Sequence, residues 1–201
     1  GAASGAPGLE RFDMTIRLHR GDLPDGIDFG PVVAIDTETL GLNPHRDRLC
    51  LVQLSRGDGT ADLVQIPQGP VRAPNLARLM GDPAVTKLFH FARFDLAVLY
   101  HTLGVMPEPV YCTKIASKLV RTYTDRHGLK DIVRELLGIE ISKQQQSSDW
   151  GAPVLSDAQL AYAASDVLHL HALKAAFDGL LEREGRRDDG GNRCRRDHGR
   201  L

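Results

Sequence analysis

Pro31-Val32-Val33-Ala34-Ile35-Asp36-Thr37-Glu38-Thr39-Leu40-Gly41-Leu42 is an apolar run that ends on two carboxylates placed two residues apart. The apolar part, residues 31–35, reads as a buried strand. Side chains two apart on a strand point the same way, so Asp36 and Glu38 can aim both carboxylates at one point just beyond a sheet.

Outward from this run, residues 49–54 and 61–66 read as two more strands, separated by the turn signal Gly57-Asp58-Gly59. Together the three predict a meander. Residues 73–80 read as a short helix stopped by Gly81-Asp82-Pro83, 86–89 as a strand and 92–101 as a helix. Further helices are expected over 113–121, over 129–137 up to Gly138, and as one long helix from Ser156. Ser156 with Gln159 has the capping-box pattern, and Asp157 suits the positive end of a helix. Strands leading into helices, then helices alone, predict an α/β fold in which a mixed sheet is flanked by helices.

The chain has 201 residues, 42% of them hydrophobic, enough for one substantial core. Residues 1–13 are small and Gly- and Ala-rich and read as an added remnant or flexible arm. Residues 14–182 read as the domain. Residues 183–201, mixed in charge and Gly-rich, read as a disordered tail. A net charge of −1 and a pI of about 6.8 exclude a protein that coats nucleic acid by bulk electrostatics. Cys50, Cys112 and Cys194 form no C-x-x-C pair, which fits a reducing compartment and offers no zinc knuckle. No stretch approaches the roughly 20 apolar residues of a membrane span, and there is no signal-peptide pattern. A cytoplasmic protein with no membrane partner is expected.

Two further acidic segments complete the chemistry: His90-Phe91-Ala92-Arg93-Phe94-Asp95, and Tyr162-Ala163-Ala164-Ser165-Asp166 within a helical pattern. Residues four apart share a helix face, so Tyr162 and Asp166 can act together. Asp95 can approach from a neighbouring element. Four carboxylates in one place repel one another unless cations bind them, and oxygen-only ligands favour Mg²⁺ or Mn²⁺ over zinc. Two such ions about 3.5–4 Å apart suit an in-line displacement at a phosphodiester. Tyr162, a poor base at neutral pH, is a candidate to orient the attacking water. Each segment alone is commonplace; the ordered set is specific.

These segments resemble the three exonuclease motifs of the DEDD 3′-to-5′ exonucleases, and Tyr162 four before Asp166 resembles the DEDDy branch with ribonuclease D. Lys143-Gln144-Gln145-Gln146-Ser147-Ser148-Asp149-Trp150 and Leu155-Ser156-Asp157-Ala158-Gln159-Leu160-Ala161-Tyr162 are similar to the same family. Arg121-Thr122-Tyr123-Thr124-Asp125-Arg126-His127-Gly128-Leu129-Lys130, in so compact a chain, points to its nano-RNase C branch. The resemblance implies a ribonuclease H-like sheet. It also implies a catalytic set of Asp36, Glu38, Asp95, Tyr162 and Asp166, with Asp36, Glu38 and Asp166 holding one metal, and Asp36 with a water-mediated Asp95 holding a second. It implies substrate contacts at Thr37, Glu38, Thr39, Leu40 (a wedge against the last base), His90, Lys143, Gln146 and Ser148. The family commonly has Asn after the His of its second motif, where this chain has Phe91, so a stacking or packing role is expected there.

The expected activity is hydrolysis of short single-stranded RNA, down to dinucleotides, to nucleoside 5′-monophosphates. The chain has no room for the helical nucleic-acid-binding domains of ribonuclease D proper. The alternatives are a broader exonuclease that trims RNA or DNA ends, and an inactive RNA-binding module on the same fold. The resemblance further implies a homo-oligomer, an octameric ring. Lys114, Lys118 and Arg121 share one helix face, extended by Arg126, His127 and Lys130, that reads either as solvated or as a phosphate-contacting rim. Trp150 reads as a loop anchor rather than a base-stacking residue. His169 and His171 read as helix-surface residues, and Asp47 as a solvated turn.

Overall fold

The computed structural model describes residues 14–185; the expectations for residues 1–13 and for 186–201 lie outside the described residues. The chain order is β1 (Thr15–Arg20), β2 (Val32–Thr39), β3 (Leu49–Ser55), β4 (Thr60–Gln65), α1 (Pro74–Gly81), β5 (Thr86–Phe89), α2 (Ala92–Leu103), β6 (Val110–Cys112), α3 (Thr113–Val120), α4 (Leu129–Leu137), α5 (Asp157–Leu168) and α6 (Leu170–Arg183). The strands form one mixed sheet in the order β1-β4-β3-β2-β5-β6. The expected meander is present, with β2, β3 and β4 antiparallel in sequence. Parallel β1 and β5–β6 flank it.

Alternation along β2 builds two cores. Val33 and Ile35 pack with Phe89, Leu96 and Leu99 on the α1–α2 side. Ala34 faces the other way and packs with Ala163, Ala164, Val167 and Phe177 on the α5–α6 side. The strand runs on beyond the apolar residues to Thr39, which carries Asp36 and Glu38 on the α5 side and Thr37 on the α2 side.

Two strands escaped the sequence reading. β1 lies at the sheet edge and is polar and largely exposed, so its apolar signal is faint. It is held by charge as well as by the ladder: Arg17 and His19 both contact the buried Asp62 of β4, at 3.1 and 2.8 Å. β6 has only three residues. The single long helix expected from Ser156 is two helices, parted at His169. No Gly or Pro marks that break. It lets α5 lie across β2, β3 and β4 while α6 turns to pack on α3 and α4.

Nor are the two histidines at this bend free surface groups. His169 is half-buried, and His171 Nε2 lies 2.9 Å from the Val32 carbonyl, pinning α6 to β2. Gly57, in the β3–β4 turn, has φ +84°, and a Cβ there would come within 2.7 Å of the His171 ring.

Candidate active site

Three elements deliver the acidic residues. Asp36 and Glu38 sit near the end of β2. Asp95 lies in the first turn of α2, where a carboxylate complements the helix dipole. Tyr162 and Asp166 share a face of α5, whose start is set by the expected capping box: the Ser156 hydroxyl accepts from the Gln159 amide at 3.2 Å, and the Gln159 side chain accepts from the Ser156 amide at 2.9 Å.

Asp36, Glu38 and Asp166 converge, each offering an oxygen within 4.8 Å of the others. Asp95 stands behind them on the opposite face of β2. It is buried, and Thr37 Oγ1 donates to its Oδ1 at 2.6 Å. Thr37 therefore supports Asp95 rather than facing the pocket.

Burial dominates the electrostatics. It raises Asp36 to about 7, although the Thr37 amide opposes the shift. Glu38 rises to about 9 by burial and then by the charges of Asp36, Asp166 and Asp95. Asp166 rises to about 8 by burial and by Asp36, against a hydrogen bond from Tyr162. Asp95 is also raised, by burial and by Asp36. Burial and the neighbouring carboxylates push the Tyr162 phenol up as well, so it stays protonated at neutral pH and acts as a donor. Such a set of hard oxygens, costly to ionise together, fits divalent cations.

Beside the acids lies a pocket of about 320 Å³. Asp36, Tyr162 and Asp166 form one side, and Lys114, Lys130 and Lys143 bring positive charge to the same cavity. His90, Phe91, Ser142 and Gln146 also line it. His90 Nδ1 lies 2.9 Å from Thr113 Oγ1, and burial, with Lys114 nearby, lowers its pKa to about 4, so it is neutral at pH 7. Lys130, in the first turn of α4, comes from the basic face read in the sequence, whereas Ser142 was not singled out, because the loop after α4 that brings it there carries no periodic signal.

The other expected contacts fall elsewhere. Leu40 is 54% exposed just past β2, where it abuts Gly151: a Cβ on that glycine would lie 2.8 Å from Leu40 Cδ2. Thr39 Oγ1 donates to the Gly41 carbonyl at 2.5 Å. Ser148 donates to Gln145 at 2.6 Å and is not among the pocket-lining residues.

Arg121 is not part of a phosphate rim. It is 2% exposed, paired with Glu135, and donates to Ser117 Oγ at 3.0 Å and to the Arg126 carbonyl at 2.6 Å. Trp150 is buried in the core against Tyr162, with ring centroids 6.0 Å apart, which agrees with a loop anchor. Asp47 does more than occupy a turn. It pairs with Arg46 and accepts from the Asn43 amide at 3.0 Å, organising the loop after β2.

Residues 25–182 match the 3′-5′ exonuclease family. NrnC of Brucella melitensis, solved with bound Mg²⁺, is 64% identical, with a TM-score of 0.85 over 89% of this chain and 88% of that one. The same protein solved bound to pGG is 65% identical, with a TM-score of 0.86 over 89% and 87%. Ribonuclease D of Gluconacetobacter diazotrophicus is 40% identical over 158 residues, which are 79% of this chain and 40% of that protein. The chain thus spans about two fifths of the length of the curated ribonuclease D relatives it matches.

Proposed function

The chain belongs to the 3′-5′ exonuclease family, with its ribonuclease H-like α/β fold, and from that premise we propose that it hydrolyses short oligoribonucleotides, down to dinucleotides, to nucleoside 5′-monophosphates. The observation that carries this reading is the convergence of Asp36, Glu38 and Asp166 within 4.8 Å beside a pocket to which three lysines contribute. At about 320 Å³ the pocket lies at the small end of ligand sites, about 300–1,000 Å³, which favours a short substrate. The pGG held by the Brucella relative supports the same size class.

Asp36, Glu38 and Asp166 would hold divalent cations, Mg²⁺ or Mn²⁺, with Asp95 contributing from behind. When bound, a pair of such ions supplies charge that stabilises both the attacking and the leaving oxygen. The chain's own groups do the rest. The protonated Tyr162 hydroxyl, hydrogen-bonded to Asp166, orients the attacking water. Lys143 and Gln146, with Lys114 and Lys130, meet the remaining phosphate charge, while neutral His90 offers hydrogen bonding without adding charge. Glu38 and the backbone near Thr39 meet the terminal nucleotide, and Leu40, exposed and steadied by Gly151, wedges against its base.

A series of 5′-labelled RNAs from two nucleotides upward, assayed with Mg²⁺ and with Mn²⁺, tests the reading. Turnover is expected to be fastest at two nucleotides and to fall with length. Equal or faster turnover of long RNA or of DNA ends would replace it with the broader exonuclease, and no turnover with either ion would leave only a binding module. The resemblance to nano-RNase C extends the proposal to a ring-like homo-oligomer, an octamer, which light scattering at the mass of a monomer would overturn.

A further inference from the structure

Phe91 is the one non-glycine residue with positive φ among the described residues, at φ 66° and ψ 50°. The left-handed conformation disfavours ordinary side chains, and it occurs here directly before α2, next to the site. It leaves a large aromatic ring 52% exposed at the pocket wall. Lys114 Nζ lies 4.0 Å from the centre of that ring, a cation–π contact joining the start of α2 to α3.

The pair stands between two cavities. One is the active-site pocket of about 320 Å³; the other is a cavity of about 310 Å³ lined also by Arg93, Cys112, Ile115 and Lys118. Phe91 and Lys114 are the residues the two linings share. The second cavity has the makings of a path for a nucleic-acid strand, because Arg93 and Lys118 are exposed cations suited to phosphates. Leu40, expected against the terminal base, lines neither cavity, so the pair belongs to a different part of the site's wall.

We propose that the Phe91–Lys114 pair is a partition that sets substrate length: it closes the active-site pocket toward the Arg93–Lys118 cavity and so excludes the further nucleotides of a longer strand. The inference rests on the short-RNA reading and names the residues that enforce it. A long strand reaches the acids only by displacing the ring and its bound ammonium, and a dinucleotide ends before it meets them.

The test compares kcat/KM on a dinucleotide and on a heptanucleotide for the wild type, Phe91→Asn and Phe91→Asn with Lys118→Ala. Asn tolerates the left-handed backbone, so the start of α2 is kept; Phe91→Gly serves as a second variant should the first fail to fold. Opening the partition is expected to raise the heptanucleotide-to-dinucleotide ratio by about tenfold, the scale of one stacked base. Adding Lys118→Ala is expected to remove most of that gain. A folded Phe91 variant whose ratio matches a dinucleotide-preferring wild type overturns the partition and leaves the short-RNA reading standing. A wild type without length preference defeats that reading, and the partition with it. A gain that survives Lys118→Ala overturns the path through the second cavity.

Discussion

Burying Asp36, Glu38 and Asp166 side by side holds their carboxyl groups near 7, 9 and 8, well above the usual carboxylate range. Because the folded values exceed the unfolded ones, the metal-free fold binds more protons than the unfolded chain between about pH 4 and pH 9. Their contribution to stability is therefore full below about pH 4 and is lost as pH rises through 7 to 9. The thermal midpoint of chelator-treated protein should fall from pH 5 to pH 9. Mg²⁺ or Mn²⁺ should restore it, and by more at pH 8 than at pH 6, because the ligands must lose their protons to bind. A midpoint that is flat with pH and indifferent to the cations would count against these residues as the metal ligands. Tyr162 gives a separate prediction. In the proposed role of a protonated donor to the attacking water, its loss in Tyr162→Phe should lower kcat by roughly 10–100-fold with KM little changed, read from steady-state kinetics on a dinucleotide. A large rise in KM at constant kcat would make it a binding group instead.

At the scale of elements, the position of α5 and α6 relative to the sheet rests on small local devices. The start of α5 was legible in the sequence, because Ser156 and Gln159 announce it with side chains that bond the backbone amides at its first turn. The break at His169 was not, because it answers to packing: α5 must cover the sheet while α6 turns toward α3 and α4. His171, read from sequence as a surface residue, instead bonds the Val32 carbonyl at the start of the strand that carries Asp36. Gly57→Ala should disturb this twice, by forcing a side chain onto a φ of +84° and by pressing its Cβ into the His171 ring. A loss of about 1–3 kcal/mol in urea unfolding is expected. A neutral result would mean that the ring moves aside freely and that the His171 tie contributes little. Arg121 shows the same limit of periodicity. Helical spacing groups it with Lys114 and Lys118, yet its guanidinium turns inward to Glu135, Ser117 and the Arg126 carbonyl, partners supplied by α4, α3 and a loop.

Across the whole molecule, the central fact is that β2 is sandwiched and uses both faces. Its α5 side presents Asp36 and Glu38 to Asp166, and its α2 side presents Thr37 to Asp95. Thr37→Val keeps the shape of the residue and removes the hydroxyl that Asp95 accepts from. Asp95 keeps its bonds from the backbone amides of Asp95 and Thr37, so the fold is retained, while loss of such an orienting bond typically lowers metal affinity by about 10–100-fold. Calorimetric titration with Mn²⁺ should show that weakening in a folded Thr37→Val protein; unchanged affinity would place Asp95 outside the metal site. The strands of the meander, the polarity of β2 and the identity of the acidic residues were open to the sequence, because alternation and spacing are local properties of a chain. So was the i, i+4 pairing of Tyr162 with Asp166. What folding alone decided was the meeting of β2 with α5, the position of Asp95 behind the strand, the inward turn of Arg121, and the left-handed Phe91 stacked on Lys114 between two cavities. Each of these depends on desolvation and contact between segments distant in sequence, and no local pattern of residues encodes which distant partner a side chain will meet.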